Sequence, residues 1–398
     1  MTTVAAVPLA PDPVFPQRDE FVDEEALGAR LSALFGEEID ACERVRATYH
    51  PGRSLRVLVR VKVGGQRRLV SARAFRPGAS ASRFERAQVS AGAVLHDEYL
   101  GAVFCVFPAD RKLAALPRLA DGSWPPVGDG PPSFRLVAYA PEKAATAAMF
   151  DAGGRVSMFV KLYSDETDAR TRAVHLALRA RGLRVPAVLA WWPELKGLAL
   201  EPLGGTRLAA LQGVEGWRAL GATLGHLHRL EPVDARLSNR YEADALRAAA
   251  TTIAALRPDL TTGAKTLERA LRRAAPAWSG KVACLHGDVQ PKNVLVEDGA
   301  ASLVDLDDVT GGDAHADLGS ALGGLRYDGI VDRRDPRCAE ALLEGYREEA
   351  SPPDADRLRW YTAAALLVER GLRSITRLRT EGLARLDAVL ASGLEELG

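Results

Sequence analysis

Leu285-His286-Gly287-Asp288-Val289-Gln290-Pro291-Lys292-Asn293-Val294-Leu295-Val296, followed closely by Ser302-Leu303-Val304-Asp305-Leu306-Asp307-Asp308, is the stretch from which the rest of the chain is read. Residues 281–284, 294–296 and 302–304 are short apolar runs, read as strands around a loop. Asp288 and Asn293 stand five apart on that loop, and Asp305 ends the last strand. Strands that pair would bring two carboxylates and an amide to one end of a small sheet. Mg²⁺ favours one or two protein oxygens together with substrate phosphates. A second carboxylate nearby can orient an alcohol and accept its proton. Together these are the parts that phosphoryl transfer requires.

Upstream, the chain is β-rich. Residues 21–34 form a helix with Leu27, Leu31 and Leu34 on one face and Gly36 as its stop. Residues 55–63 alternate, Gly64-Gly65 turns the chain, residues 66–75 return, and 102–107 add another strand. Residues 121–132 hold four prolines and three glycines and read as a linker. Strand patterns resume at 134–139, 145–150 and 155–163. Tyr49-x-Pro51, Gly64-Gly65 and Arg73-x-Phe75 are echoed by Tyr139-x-Pro141, Gly153-Gly154 and Lys161-x-Tyr163. That points to an internal repeat of a hairpin-rich unit, with chance likeness between two hairpins as the alternative. From Asp168 the texture turns helical, at 168–181, 217–230, 244–256, 262–275, 337–345 and 356–390, with short buried strands at 185–192 and 197–203. A β-rich half followed by an α-rich half gives an α+β fold of two lobes.

The 398 residues allow two or three domains. At 47% hydrophobic and 26% charged, the chain is not wholly disordered. Its 52 Lys+Arg balance 52 Asp+Glu, which excludes a globally basic nucleic-acid binder. Residues 301–398 hold 19 acids against 12 bases, which would suit a neutral or cationic ligand in that quarter. Cys42, Cys105, Cys284 and Cys338 are too scattered for a zinc site and suit reduced thiols in a cytoplasm. No apolar run reaches the roughly 18 residues of a membrane span. Met1–Gln17 lacks Lys and Arg, so residues 1–18 read as a disordered lead-in, not a signal peptide.

The Asp288–Asn293 spacing is that of the protein-kinase catalytic loop. Protein kinases place a lysine where Gln290 stands here. The His-Gly-Asp form and the continuation Gly312-Asp313-Ala314-His315-Ala316-Asp317-Leu318-Gly319 resemble the aminoglycoside phosphotransferase/choline kinase-like family. The likeness runs over about residues 134–390 and is strongest at 285–320. It implies a bilobal protein-kinase-like fold that binds ATP (or GTP) with Mg²⁺ in the cleft. On this resemblance Asp288 is the catalytic base, Asn293 and Asp305 are Mg²⁺ ligands, and Asp307 adds a metal contact. Asp317 and His286 brace the loop. His226-Leu227-His228 resembles the end of the family's LxxLH packing helix.

On the nucleotide side, Lys161 sits in the apolar strand Phe159-Val160-Lys161-Leu162-Tyr163, where an inward charge needs a partner. It resembles the strand lysine that pairs the α- and β-phosphates. Pro141-Glu142-Lys143-Ala144-Ala145 stands where a phosphate-covering loop belongs. It lacks GxGxxG, leaving Lys143 to supply charge. Glu201 and Leu203, in Leu200-Glu201-Pro202-Leu203-Gly204-Gly205, are placed like the inter-lobe hinge whose backbone binds adenine. One departure stands out: the family's αC glutamate is missing from residues 168–181, where His175 falls near its place and Glu166 and Asp168 are the nearest acids.

Residues 19–120 exceed a minimal kinase core and resemble the β-rich cap subdomain of maltokinases and glucosamine kinases. The expected organisation is thus a lead-in at 1–18, a cap at 19–120, a linker at 121–132, an N-lobe at 133–203 and a helical C-lobe at 204–398. The expected protein is a cytoplasmic small-molecule kinase, monomeric or homodimeric. It would phosphorylate a hydroxyl of a small polar molecule such as a sugar or an aminoglycoside, with neither nucleic acid nor membrane as partner. The missing glutamate and Gly-rich loop raise one alternative, a nucleotide-binding pseudokinase or adaptor without turnover.

Overall fold

The computed structural model describes residues 8–88, 93–125, 133–151, 153–277, 280–331 and 335–398. The helix expected over 21–34 is split into α1 (Arg18–Val22) and α2 (Glu24–Phe35). Asp23 is extended, and its side chain accepts from Ala26 N, which makes it an N-cap instead of a helical residue. An antiparallel sheet follows, built from β1 (Ile39–His50), β2 (Ser54–Val63), β3 (Gln66–Ala74), β4 (Val94–Asp97) and β5 (Ala102–Val106), with α3 (Ser80–Gln88) after the third strand. Beyond α4 (Leu116–Ala120) a second sheet is built from β6 (Ser133–Ala140), β7 (Ala144–Phe150), β8 (Val156–Tyr163), β9 (Val188–Trp192) and β10 (Gly197–Leu200), with α5 (Thr167–Ala180) after its third strand.

The strand orders, β1-β2-β3-β5-β4 and β6-β7-β8-β10-β9, are the same. The repeat read from the sequence is therefore a repeat of architecture. It extends to single contacts. Tyr49 donates to Asp12 at 2.7 Å, and Tyr139 donates to Asp110 at 2.6 Å. Arg73 lies opposite Arg56 and Val103 in the first sheet, as Lys161 lies opposite Thr146 and Leu198 in the second.

Residues 8–18, expected in a disordered lead-in, are packed. Leu9 and Phe15 are buried in the core, and the Arg18 guanidinium donates to the carbonyls of Ala10 and Leu9 at 2.8 and 3.0 Å. These apolar residues find a surface that only the folded sheet offers. Of the expected linker, residues 126–132 lie outside the described residues. Leu113, Leu116, Leu119 and Trp124 pack with Tyr139, Met158 and Val160 of the second sheet.

The C-terminal lobe comprises β11 (Thr206–Arg207), α6 (Glu215–His228), α7 (Ala243–Leu256), α8 (Thr261–Arg273), β12 (Ala283–Leu285), β13 (Val294–Glu297), β14 (Ala300–Leu303), β15 (Thr310–Gly312), α9 (His315–Val331), α10 (Arg337–Glu349), α11 (Ala355–Ala365), α12 (Leu372–Thr376), α13 (Thr380–Ala384) and α14 (Leu386–Glu395). Helix α9 carries no clear amphipathic stripe, because apolar and small residues cover it on most sides and it is largely buried. The long helix expected over 356–390 is interrupted by a π-helical turn, Leu366–Gly371, and by Leu378 at φ +49°. Among the described residues no helix is long and apolar enough to cross a membrane.

The first sheet touches both lobes. Tyr49, Leu55 and Val59 share a buried cluster with Leu246, Ile253 and Leu386 of the helical lobe. Ala10 N donates to Leu256 O at 2.9 Å, and Arg377 donates to Thr48 Oγ1 at 2.6 Å. From its other face Leu58 joins the core of the second sheet.

Candidate active site

The loop from His286 to Asn293 leaves β12 and returns into β13. Gly287 has φ +79°, and a Cβ there would lie 2.1 Å from the Asp308 carbonyl, so only glycine fits. Asp317, at the start of α9, accepts from His286 N at 2.6 Å, from Gly287 N at 3.1 Å and from His228 Nε2 at 3.2 Å. His286 in turn sits with Nε2 3.1 Å from Val304 O and accepts at Nδ1 from Asp288 N, at 3.3 Å. The bracing expected of Asp317 and His286 is thus present as contacts.

Asp288 is held on several sides. Gln290 Nε2 donates to its Oδ1 at 2.6 Å, Asn293 Nδ2 donates to its carbonyl and Oδ2 at 3.1 and 3.3 Å, and Arg373 lies 3.6 Å from Oδ1. Burial pushes this carboxyl up, but Arg373, Gln290, Lys292 and His286 outweigh it and hold Asp288 below the ordinary aspartate range. It is therefore ionised at neutral pH and able to accept a hydroxyl proton. Val304 N donates to Asn293 O at 3.0 Å, so Asp305 leaves β14 beside the catalytic loop. Asp305 adopts φ +62°, a left-handed conformation that Asp tolerates better than most residues.

Lys161 closes the group from the other lobe. Its Nζ lies 2.6 Å from Asp305 Oδ1 and 2.7 Å from Asp307 Oδ2. Burial acts to lower its pKa, but the Tyr163 oxygen, Asp307 and Asp305 hold it above the ordinary lysine value. Asp307 is itself fixed by donors from Tyr163 at 2.9 Å and Thr171 at 3.2 Å. The candidates for the αC position are all engaged elsewhere. Glu166 pairs with Lys196 at 3.1 Å, Asp168 accepts from Trp191 Nε1 at 2.8 Å, and His175 meets Pro186 O at 2.8 Å. Asp307, which the resemblance casts as a metal contact, therefore stands where Lys161 needs a counter-charge, and α5 contributes Thr171 to hold it.

The hinge and the phosphate-side turn come out differently from each other. Glu201 N donates to Ala187 O at 2.9 Å, while its carboxylate accepts from Arg179 at 3.1 Å and Ala187 N at 3.0 Å. Glu201 thus braces the hinge, and Leu203 follows it half-buried. Lys143 is exposed on the β6–β7 turn. Its neighbour Glu142 is buried at φ +61° and binds three arginines of the N-terminal unit and its extension: Arg73 at 2.5 Å, Arg111 at 2.7 Å and Arg56 at 3.2 Å. A turn without glycines is thereby pinned by charge. Glu142→Gln is expected to cost about 3 kcal/mol, because it strands three guanidiniums. Thermal denaturation checks the stability loss, and a raised KM for nucleotide checks the effect on the turn.

Asp288, Asn293, Asp305, Asp307 and Lys161 are thus brought together, while Glu201 and Leu203 follow β10 and Lys143 lies on the β6–β7 turn. Arg373 and Glu142 escaped the sequence reading; Arg73-x-Phe75, matched to Lys161-x-Tyr163, was the one signal for the basic half of the Glu142 cluster. The oxygens of Asn293, Asp305 and Asp307 form a hard donor set that suits Mg²⁺, since the Asn293 amide nitrogen is spent on Asp288 and leaves its oxygen for a cation. Among the described residues no three His, Cys, Asp or Glu side chains group as a cage, so such an ion would depend on phosphate oxygens as well. Trp191 donates to Asp168, and Trp360 donates to Leu271 O from the core.

The chain belongs to the phosphotransferase enzyme family, whose profile matches residues 146–390. Among solved structures it is similar to an aminoglycoside phosphotransferase of the APH(4)-Ia type, in ternary complex with ADP and hygromycin B. That match has 15% identity, 66% of this chain, 93% of the other and a TM-score of 0.50. An aminoglycoside-3'-phosphotransferase of type VIII matches at 22% identity, with 63% and 97% covered and a TM-score of 0.47. A choline kinase from Cryptosporidium parvum Iowa II matches at 14%, with 67% and 88% covered and a TM-score of 0.48. No curated protein matches the chain. The bilobal kinase-like fold expected from the motif is therefore the fold of this protein, and the protein is an enzyme.

Proposed function

We propose that the enzyme transfers the terminal phosphoryl group of ATP to a hydroxyl of a small polar molecule, with Mg²⁺ as cofactor. The observation that carries this reading is the meeting of Lys161, from the other lobe, with Asp305 and Asp307, which leave β14 beside the loop of the ionised Asp288 and Asn293. Asp288 would orient the acceptor hydroxyl and take its proton, with Gln290 and Asn293 keeping its carboxylate in place. Asn293 and Asp305, with Asp307 beside them, would hold the Mg²⁺, which when bound offsets charge on the phosphates. Lys161 would exchange its two aspartates for phosphate oxygens, and the Glu201–Leu203 hinge and the Lys143 turn would frame the nucleotide. The four cysteines, none in a disulfide among the described residues, suit a reducing cytoplasm. The sequence resemblance of residues 19–120 to the maltokinase and glucosamine kinase cap supports a polyhydroxylated acceptor.

An acceptor screen coupled to release of ADP or GDP tests the reading and decides between ATP and GTP. Stoichiometric nucleotide binding without turnover would favour a pseudokinase instead. Asp305→Ala is expected to raise the Mg²⁺ concentration for half-maximal rate by about tenfold or more, since even outer contacts to a metal change affinity that much. An unchanged Mg²⁺ titration would remove Asp305 from the ligand set.

A further inference from the structure

Beside Asp288 stands a group of arginines that the transfer chemistry does not use. Arg373, on α12, lies 3.6 Å from Asp288 Oδ1. One turn further on, Arg377 donates to Thr48 Oγ1 on β1, which carries the basic group across to the N-terminal sheet. Arg46 and His50 share the Thr48 face of that strand, because alternate residues point the same way, and Thr48 lies opposite Arg56 of β2. Arg46 is half-buried and has no hydrogen bond or ion pair among the described residues.

The acids nearby are committed. Glu369 is spent on Arg240 at 3.0 Å, on Ser320 at 2.8 Å and on Tyr241, with Arg370 at 4.0 Å. Glu142 is spent on its own three arginines. Asp288 faces both Arg373, at 3.6 Å, and Arg377. The crowding registers on the groups themselves. Burial first, then Arg46, Arg373 and Arg379, pull Arg377 down to about 10, with Asp288 opposing. Burial, then Arg377, Arg56 and Arg53, lower His50. Guanidiniums gathered in this way repel one another and make the place receptive to an anion.

We propose that Arg46, Arg373 and Arg377 are the anion-binding half of the acceptor site, so that the hydroxyl-bearing substrate carries an oxyanion group, a phosphate or a carboxylate. The inference rests on the phosphotransferase reading of Asp288. Guanidinium forks match either oxyanion in a bidentate manner. The binding energy of a charged group held there positions the hydroxyl at Asp288. A polycationic aminoglycoside meets repulsion from the same three side chains. The acidic excess of residues 301–398 therefore does not describe this site, because Arg370, Arg373 and Arg377 concentrate that quarter's scarce bases here.

Two measurements on the full chain test the proposal. In the first, protein saturated with Mg·ADP is melted in sulfate and in chloride at equal ionic strength. Sulfate is expected to raise Tm further than chloride, and the Arg46→Gln/Arg377→Gln double variant is expected to lose most of that increment. Arg46→Gln alone breaks no hydrogen bond or ion pair among the described residues and serves as the variant that keeps the fold. Equal sulfate increments in all three proteins overturn the anion site. In the second, ADP release is followed with glucose, kanamycin, glucose 6-phosphate and glucuronate. Turnover is expected with one or both of the last two, whose ratio tells phosphate from carboxylate. Arg46→Gln should raise KM for that acceptor about tenfold or more, while KM for ATP holds. Preferred turnover of kanamycin or glucose, insensitive to Arg46→Gln, overturns the proposal. No turnover with any acceptor counts against the phosphotransferase reading, and the sulfate result then decides the anion site by itself.

Discussion

Asp288→Asn is expected to lower kcat by about 10²–10⁴, the usual range for loss of a positioned base, with little change in Tm. The amide preserves the shape of the side chain but cannot take the acceptor proton. Its contacts explain why the fold should survive. Gln290 and Asn293 donate to the native carboxylate, and an amide oxygen can still accept one of those bonds. Arg373, half-exposed and 3.6 Å away, loses a partner but keeps access to water. KM for nucleotide should move little, because Lys161 and Asp305 are untouched. Steady-state kinetics with a matched melting curve makes the measurement. Turnover near the wild-type rate would take the base role from Asp288, and with it the proton path proposed here.

The second large effect concerns stability. Asp317→Ala should cost about 3–5 kcal/mol, or roughly 4–6 °C in Tm at the unfolding entropy of a 398-residue chain. The side chain is almost fully buried and satisfies two backbone N–H groups, His286 and Gly287, together with His228. Removing it orphans all three in a dry interior. Activity should fall as well, because the loop carrying Asp288 begins at those two amides. Asp317 also has a signature in pH. Burial raises its pKa, but His228 and His286 with their bonds hold the carboxyl below the ordinary aspartate value. A depressed folded pKa stabilises above the unfolded value of about 4, and that stabilisation is lost as pH falls from there through the folded one. Wild-type Tm should therefore drop as pH falls below about 4, and the Asp317→Ala variant should show a shallower drop. Parallel Tm–pH curves for the two proteins would show that the charge of Asp317 contributes nothing.

Much of this site was legible because it is local. His286, Asp288, Gln290 and Asn293 lie within one loop, and the spacing of Asp288 and Asn293 constrains their geometry before any distant residue is placed. Strand and helix patterns were readable for the same reason, since alternation and helical spacing are properties of neighbours. The readings failed where neighbours did not decide. Leu9 and Phe15 look like a tail until a sheet is present to bury them. Helix α9 shows no stripe, because partners surround it.

The sequence by itself determined the passage from a β-rich to an α-rich half and the residue types gathered in the loop from His286 to Asn293, and it pointed to a doubled hairpin unit with chance likeness as the alternative. Only the tertiary structure decided which charges meet. Lys161 and Asp305 are 144 residues apart, and Arg73 and Glu142 are 69 apart. In the sequence, Asp307 reads as a metal contact, and only the structure sets it beside Lys161; Arg373 is one of many arginines. The physical reason is range. Backbone preference and side-chain periodicity act over a few residues, whereas an ion pair acts over a few ångströms of space, and the packing of the N-terminal sheet against both lobes is what brings those groups within reach.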